Sequence, residues 1–143
     1  MKIIPFEQKY RDDLIFMILE AKNALGRVPG LNEDLLNIKS YYFDKGDMFW
    51  IAIDENDRVI GSIGYNSISD KEAMIHRLFV KYNLKNQGIG TQLLKIAESH
   101  IKNLGKTKII IHLGNKEQWF ESWSFYPKHG YQEFKPNYMF KQI

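Results

Sequence analysis

Met74 to Leu94 reads MIHRLFVKYNLKNQGIGTQLL, and the fold turns on what this stretch forms. Its first half alternates as a strand. A polar loop follows, and the chain reopens at two closely spaced glycines, Gly88 and Gly90, into an amphipathic helix. A strand running through a glycine turn into a helix is a place to hold phosphate, because the first N–H groups of a helix lack intrahelical partners and carry partial positive charge. Gly88-Ile89-Gly90 lacks the third glycine of the dinucleotide fingerprint, having Leu93 at that place. Gly105-Lys106-Thr107 has the tail of a P-loop, but His100 stands where the leading glycine belongs and the segment runs into a strand. Two readings stay open for Lys85 to Thr91: a pyrophosphate clamp, in which glycines let the backbone approach the anion, or a plain packing turn.

Outward from that stretch the elements fall in order. Lys2 to Phe6 is a short strand. From Gln8 to Leu25 the apolar positions Leu14, Met17, Ile18, Ala21 and Leu25 recur at helical spacing. Gly26 to Gly30 breaks that helix. A second helix is expected with Asn32 as N-cap and Leu35, Leu36 and Ile38 facing inward. Met48 to Asp54, Arg58 to Ile68 and Glu72 to Val80 read as an antiparallel meander, with Gly61 and Gly64 marking a bulge or a close approach. The helix after Gly88 carries Ile89, Leu93, Ala97, Ile101 and Leu104 on one face and ends at Gly105. Lys108 to Leu113 is a buried strand parallel to the third of the meander. A last helix is expected over Trp119 to Lys128. Two terminal strands follow, Tyr131 to Phe134 and Asn137 to Lys141; the second is expected at the sheet edge, where it would suit pairing with a second chain. The fold class is α/β (α+β), a mixed central sheet with an antiparallel meander flanked by helices on both faces, in a single domain over residues 1–143.

Composition narrows the chemistry. The 44% hydrophobic and 26% charged content is that of an ordinary globular domain. With no cysteine, disulfides, thiolate metal sites and a cysteine nucleophile are excluded. The histidines show no metal-ligand spacing, so no metal is expected. A net charge of +3 is weak support for nucleic acid, and no aromatic-basic module is present. The first residues turn charged too soon for a signal peptide, and the apolar run Leu14 to Leu19 is too short to span a membrane. A cytoplasmic protein with no membrane or nucleic-acid partner, monomeric or homodimeric, is expected.

In the order and spacing of three features, the chain resembles the GCN5-related N-acetyltransferase (GNAT) family. They are the strand Ile75 to Val80 leading to Lys85-Asn86-Gln87-Gly88-Ile89-Gly90; the segment Phe125-Tyr126-Pro127-Lys128-His129-Gly130-Tyr131; and the sequence of elements along the whole chain. Lys85 departs from the Arg or Gln usual at the first clamp position, keeping the charge but not the planar fork. The resemblance implies the GNAT acyl-CoA N-acyltransferase fold, acetyl-CoA as co-substrate and a small-molecule amine or peptide as acceptor. It places the pyrophosphate on Lys85, Asn86, Gln87, Gly88, Ile89, Gly90 and Thr91, and the pantetheine arm along Leu78, Phe79 and Val80, where an amide near Leu78 or Phe79 would polarise the acetyl carbonyl. It also implies direct attack by the amine, Tyr126 as general acid and His76 as candidate base, with Glu72 and Glu20 behind it. The acceptor site would lie over Glu20 to Asp47, with Gly26 to Gly30 as a lid. The competing reading is an acyl-CoA-binding sensor or interaction module without turnover.

Overall fold

The computed structural model describes all 143 residues. Seven strands form one sheet in the order β1-β2-β3-β4-β5-β7-β6. They are β1 (Lys2–Pro5), β2 (Phe49–Ile53), β3 (Val59–Ser67), β4 (Glu72–Val80), β5 (Lys108–His112), β6 (Gln132–Lys135) and β7 (Tyr138–Gln142). The helices are α1 (Arg11–Ala24), the single turn α2 (Ile38–Tyr41), α3 (Ile89–Asn103) and α4 (Phe120–Phe125). Every neighbouring pair is antiparallel except β4–β5, joined in parallel through α3.

The unbroken apolar run of β2 follows from burial on both sides, because successive side chains point to opposite faces. Phe49, Ile51 and Ile53 join Leu14, Met17 and Ile18 of α1 in one core. Trp50 and Ala52 join Leu93, Leu94, Ala97 and Ile101 of α3 in the other. The glycines of β3 make room for this packing. A Cβ on Gly61 would come within 2.8 Å of Leu93, and one on Gly64 within 2.5 Å of Phe49. Both are close approaches, as the strand pattern led us to expect.

Four expectations need correcting. The second helix is split into a 3₁₀ turn (Glu33–Leu36) and α2. Asn37, not Asn32, caps α2 by accepting from the Ser40 N–H at 3.1 Å, while the Asn32 side chain accepts from Lys22 at 2.6 Å. The break rotates Leu36 outward, and it is 44% exposed. Leu104 lies past the last turn of α3 and is 52% exposed. The last helix ends at Phe125, because Pro127 cannot continue the hydrogen-bond ladder; a 3₁₀ turn, Pro127–His129, replaces its second half. Finally, β7 is not an edge strand. It pairs with β5 on one side and β6 on the other, leaving β6 outermost.

Candidate functional site

β4 and β5 pair only from Glu72 to Met74 against Lys108 to Ile110. Past Met74 they share no pairing, so the far half of β4 presents a free edge. The divergence coincides with a bulge: Ser62 faces Phe79 but Gly64 faces His76, one residue too many on β4. The extra residue is Arg77, in the left-handed region at φ 56°. After it the ladder is regular again, and the Lys81 N–H donates to Ile60 O at 2.9 Å. Strand alternation then turns the Phe79 N–H toward β3 and those of Leu78 and Val80 toward the splay. Between Leu78 and Phe79, the Leu78 amide has the orientation to meet a carbonyl in the opening.

The splay widens into a cleft of about 580 Å³, in the range of small-molecule sites. At one end stands the N-terminus of α3. Gly88 is its N-cap at φ 82°, a conformation that costs most residues with a Cβ about 1–2 kcal/mol. A Cβ there would meet nothing within 4 Å, so conformation and not crowding selects the glycine. Asn86, at φ 63°, helps to turn the chain into the helix. The first intrahelical bond is Gln92 N–H to Gly88 O at 3.0 Å, leaving the Ile89, Gly90 and Thr91 N–H groups without backbone acceptors. They form an anion cradle. Gly90 lies under Phe125 and Val80, with 3.6 Å to each from a built Cβ.

The opposite wall comes from α4 and its flanks. Tyr126 lines the cleft, packs edge-on against Phe125 and Tyr131, and is 5% exposed. Burial alone pushes its hydroxyl well above the ordinary phenol value, so it carries its proton across the physiological range. Glu121, in the first turn of α4, forms a short ion pair with Lys85. Arg27 stacks on Trp119 at 3.6 Å and donates to Gln118 O at 3.1 Å. The segment after α1, expected as a lid, is thus tied to the loop before α4. Arg27, Glu121 and Phe125 are cleft residues that sequence reasoning did not single out; for Phe125 its place beside Tyr126 in the aromatic segment was the available signal.

Of the expected binding residues, Leu78, Phe79, Val80, Lys85, Asn86, Gly88, Ile89, Gly90 and Thr91 line the cleft, together with Tyr126. Gln87 and His76 do not. His76 lies just before the bulge. Burial first, then the nearby Arg77 charge, lowers its pKa, so the ring is neutral at pH 7. Glu20 faces Lys81 at 3.7 Å and Glu72 faces Lys108 at 3.8 Å, and Glu20 Oε1 is buried without a hydrogen-bond partner. In the expected acceptor segment, Asp47 is buried and accepts from Asn66 and Ser67, and Asp34 is buried against Arg77 and Tyr42. These carboxylates hold the fold together. No three His, Asp or Glu side chains cluster as a metal site, and no helix is long and apolar enough to cross a membrane.

A free strand edge beside a helix-capped anion cradle is the arrangement of a recognised class. The acetyltransferase (GNAT) family model matches residues 15–131, and the chain belongs to that family. A GNAT-family acetyltransferase from Staphylococcus aureus Mu50 superposes with a TM-score of 0.89 at 24% identity, covering 99% of this chain and 98% of that one. An aminoglycoside 6'-N-acetyltransferase complexed with coenzyme A superposes with a TM-score of 0.76 at 17% identity, covering 99% and 97%. These likenesses show the shared fold. In sequence, the probable N-acetyltransferase 14 of Xenopus tropicalis is 29% identical over 100 residues, 69% of this chain and 47% of that protein. The chain spans less than half the length of the curated relatives it matches.

Proposed function

We propose that the protein transfers an acetyl group from acetyl-CoA to a primary amine by direct attack. The observation that carries this reading is the unpaired edge of β4 beyond Met74, ending at the anion cradle of α3. The edge suits the amide-rich pantetheine arm, which can hydrogen-bond along β4 as a further strand. The Ile89, Gly90 and Thr91 N–H groups, with Lys85, suit a pyrophosphate. The complex of a fold relative with coenzyme A supports the same reading.

In this mechanism the Leu78 N–H holds the thioester oxygen, on which charge grows as the amine nitrogen bonds to the acetyl carbon. The Tyr126 hydroxyl supplies a proton to the sulfur as the carbon–sulfur bond breaks. His76, neutral at working pH and outside the cleft lining, takes the amine's proton through water. Positioning along β4 contributes the rest, since no covalent enzyme intermediate is needed.

A second reading, an acyl-CoA sensor without turnover, is favoured by two observations. The Tyr126 pKa is raised, which makes it a weaker acid, and His76 is set back from the cleft. Calorimetry with acetyl-CoA and a thiol-release assay over a panel of amines separate the two. Binding with amine-dependent release supports the enzyme. Binding with no release on any amine supports the sensor. No binding overturns both.

A further inference from the structure

Resting on the acyltransferase reading, we propose that Ser62 and Asp34 are positioning residues that fix the Arg77–Leu78 peptide so that the Leu78 N–H points into the cleft. Neither residue lines the cleft. Both act on the bulge residue of β4.

The bulge position is one that glycine usually takes, since it needs a positive φ. Here it is Arg77 at φ 56°, so the surroundings must hold an unfavourable conformation in place. Two contacts do so from different directions. The first acts on the backbone. The Ser62 hydroxyl, wholly buried on β3, donates to Arg77 O at 2.7 Å. A trans peptide is planar, with its C=O and N–H pointing opposite ways. Holding the Arg77 carbonyl toward β3 therefore aims the N–H of the same peptide, that of Leu78, away from β3 and into the splay. The second contact acts on the side chain. The Arg77 guanidinium donates to both Asp34 oxygens, Nε to Oδ2 at 3.1 Å and Nη2 to Oδ1 at 3.0 Å, a two-pronged tie with fixed geometry. Asp34 is held in turn by the Tyr42 hydroxyl at 2.6 Å, inside the core beneath α2. An arginine thus replaces glycine at this bulge because its side chain can be anchored. What is anchored with it is the donor that the reaction needs.

The experiment uses the full chain with Ser62→Ala and, separately, Asp34→Asn, assayed below the melting midpoint of each variant. It reads kcat and KM for acetyl-CoA, the Kd for CoA, and the amide ¹⁵N–¹H shift of Leu78 on adding CoA or acetyl-CoA. We expect kcat to fall roughly ten-fold or more in each variant, on the scale of a misaimed oxyanion donor, with the CoA Kd changed by less than about three-fold. The acetyl-specific shift of Leu78 should shrink with kcat. Ser62→Ala is the milder change and keeps the test decisive where Asp34→Asn fails to fold. A kcat within about two-fold of wild type in a folded variant overturns the inference. So does a parallel loss of kcat and CoA affinity, which marks a purely structural role. A wild-type chain that binds no acetyl-CoA overturns the acyltransferase reading itself, a result seen before any variant is made.

Discussion

Tyr126 shows how one side chain holds two roles. It fills core space against Tyr131, yet its ring lines the cleft beside Gly90's neighbour Phe125. Burial raises its pKa, so it stays protonated well past neutrality and is a weaker acid toward a departing thiolate than a free phenol is. Tyr126→Phe should lower kcat by about 10–100-fold while the CoA Kd holds, a split read from steady-state kinetics and calorimetry. An unchanged kcat would reduce the hydroxyl to packing. Across the cleft, the Lys85 ammonium is neutralised by Glu121. The pair is partly exposed, so it is worth no more than about 1 kcal/mol. Any anion that recruits Lys85 must first compete with that carboxylate. Glu121→Gln should therefore tighten CoA binding by about two- to five-fold at low salt, with the gain fading as salt rises. Weaker binding in the variant would mean that the pair supports the cleft wall instead.

At the scale of elements, the site is a junction of one strand edge and one helix end. α3 buries Leu93, Ala97 and Ile101 against the sheet, which fixes where its N-terminus points. Gly88 can therefore be tested without disturbing the helix, since a Cβ there meets nothing within 4 Å. Gly88→Ala should cost only the left-handed strain, about 1–2 kcal/mol of stability by urea titration. Gly88→Glu adds a carboxylate at the cradle and should weaken CoA binding by at least about a hundred-fold by calorimetry, since like charges brought together cost several kcal/mol. Equal binding by the two variants would remove the cradle from the site.

The whole molecule is two cores on either side of one sheet, and charged ties cross between its parts. The Asp34–Arg77 tie joins the segment before α2 to β4. Burial by itself would raise the Asp34 carboxyl, but the Arg77 and Tyr42 hydrogen bonds outweigh it and the net shift is downward. A lowered folded-state value means stability that is fully present above the unfolded value, about pH 3.9, and lost as pH falls through the folded one. The Arg58 hydrogen bond holds Asp13 down in the same way, with the same sign. The melting temperature of the wild type should fall below about pH 4. Asp34→Asn should start lower, by about 3 kcal/mol at pH 7, and lose less on acidification. A parallel decline in both would show that the tie contributes nothing to acid stability.

Much of this was legible in the chain itself. β2 announced itself as an unbroken apolar run, because burial on both faces leaves no polar position, and the α3 face by its helical period. Gly88 and Gly90 followed by the helix, and Phe125 to Tyr131, marked both walls of the cleft because each needs particular residue types locally. Asn32, Leu36 and the second half of the last helix were misread where local signals competed: Asn37 took the cap, and Pro127 ended the helix early.

What the sequence alone determined is what periodicity and backbone chemistry can carry: the order of elements, a mixed sheet with helices on both faces, and a glycine turn that opens a helix, with the clamp and the packing readings both open. The tertiary structure decided what depends on residues far apart in the chain. The end of β4–β5 pairing at Met74, the tie of Arg77 to Asp34 across 43 positions, and the meeting of Lys85 with Glu121 across 36 leave no local pattern. A positive φ at an arginine is set by its distant partners and not by its neighbours. That is why the bulge aiming the Leu78 amide could be seen only once the chain was folded.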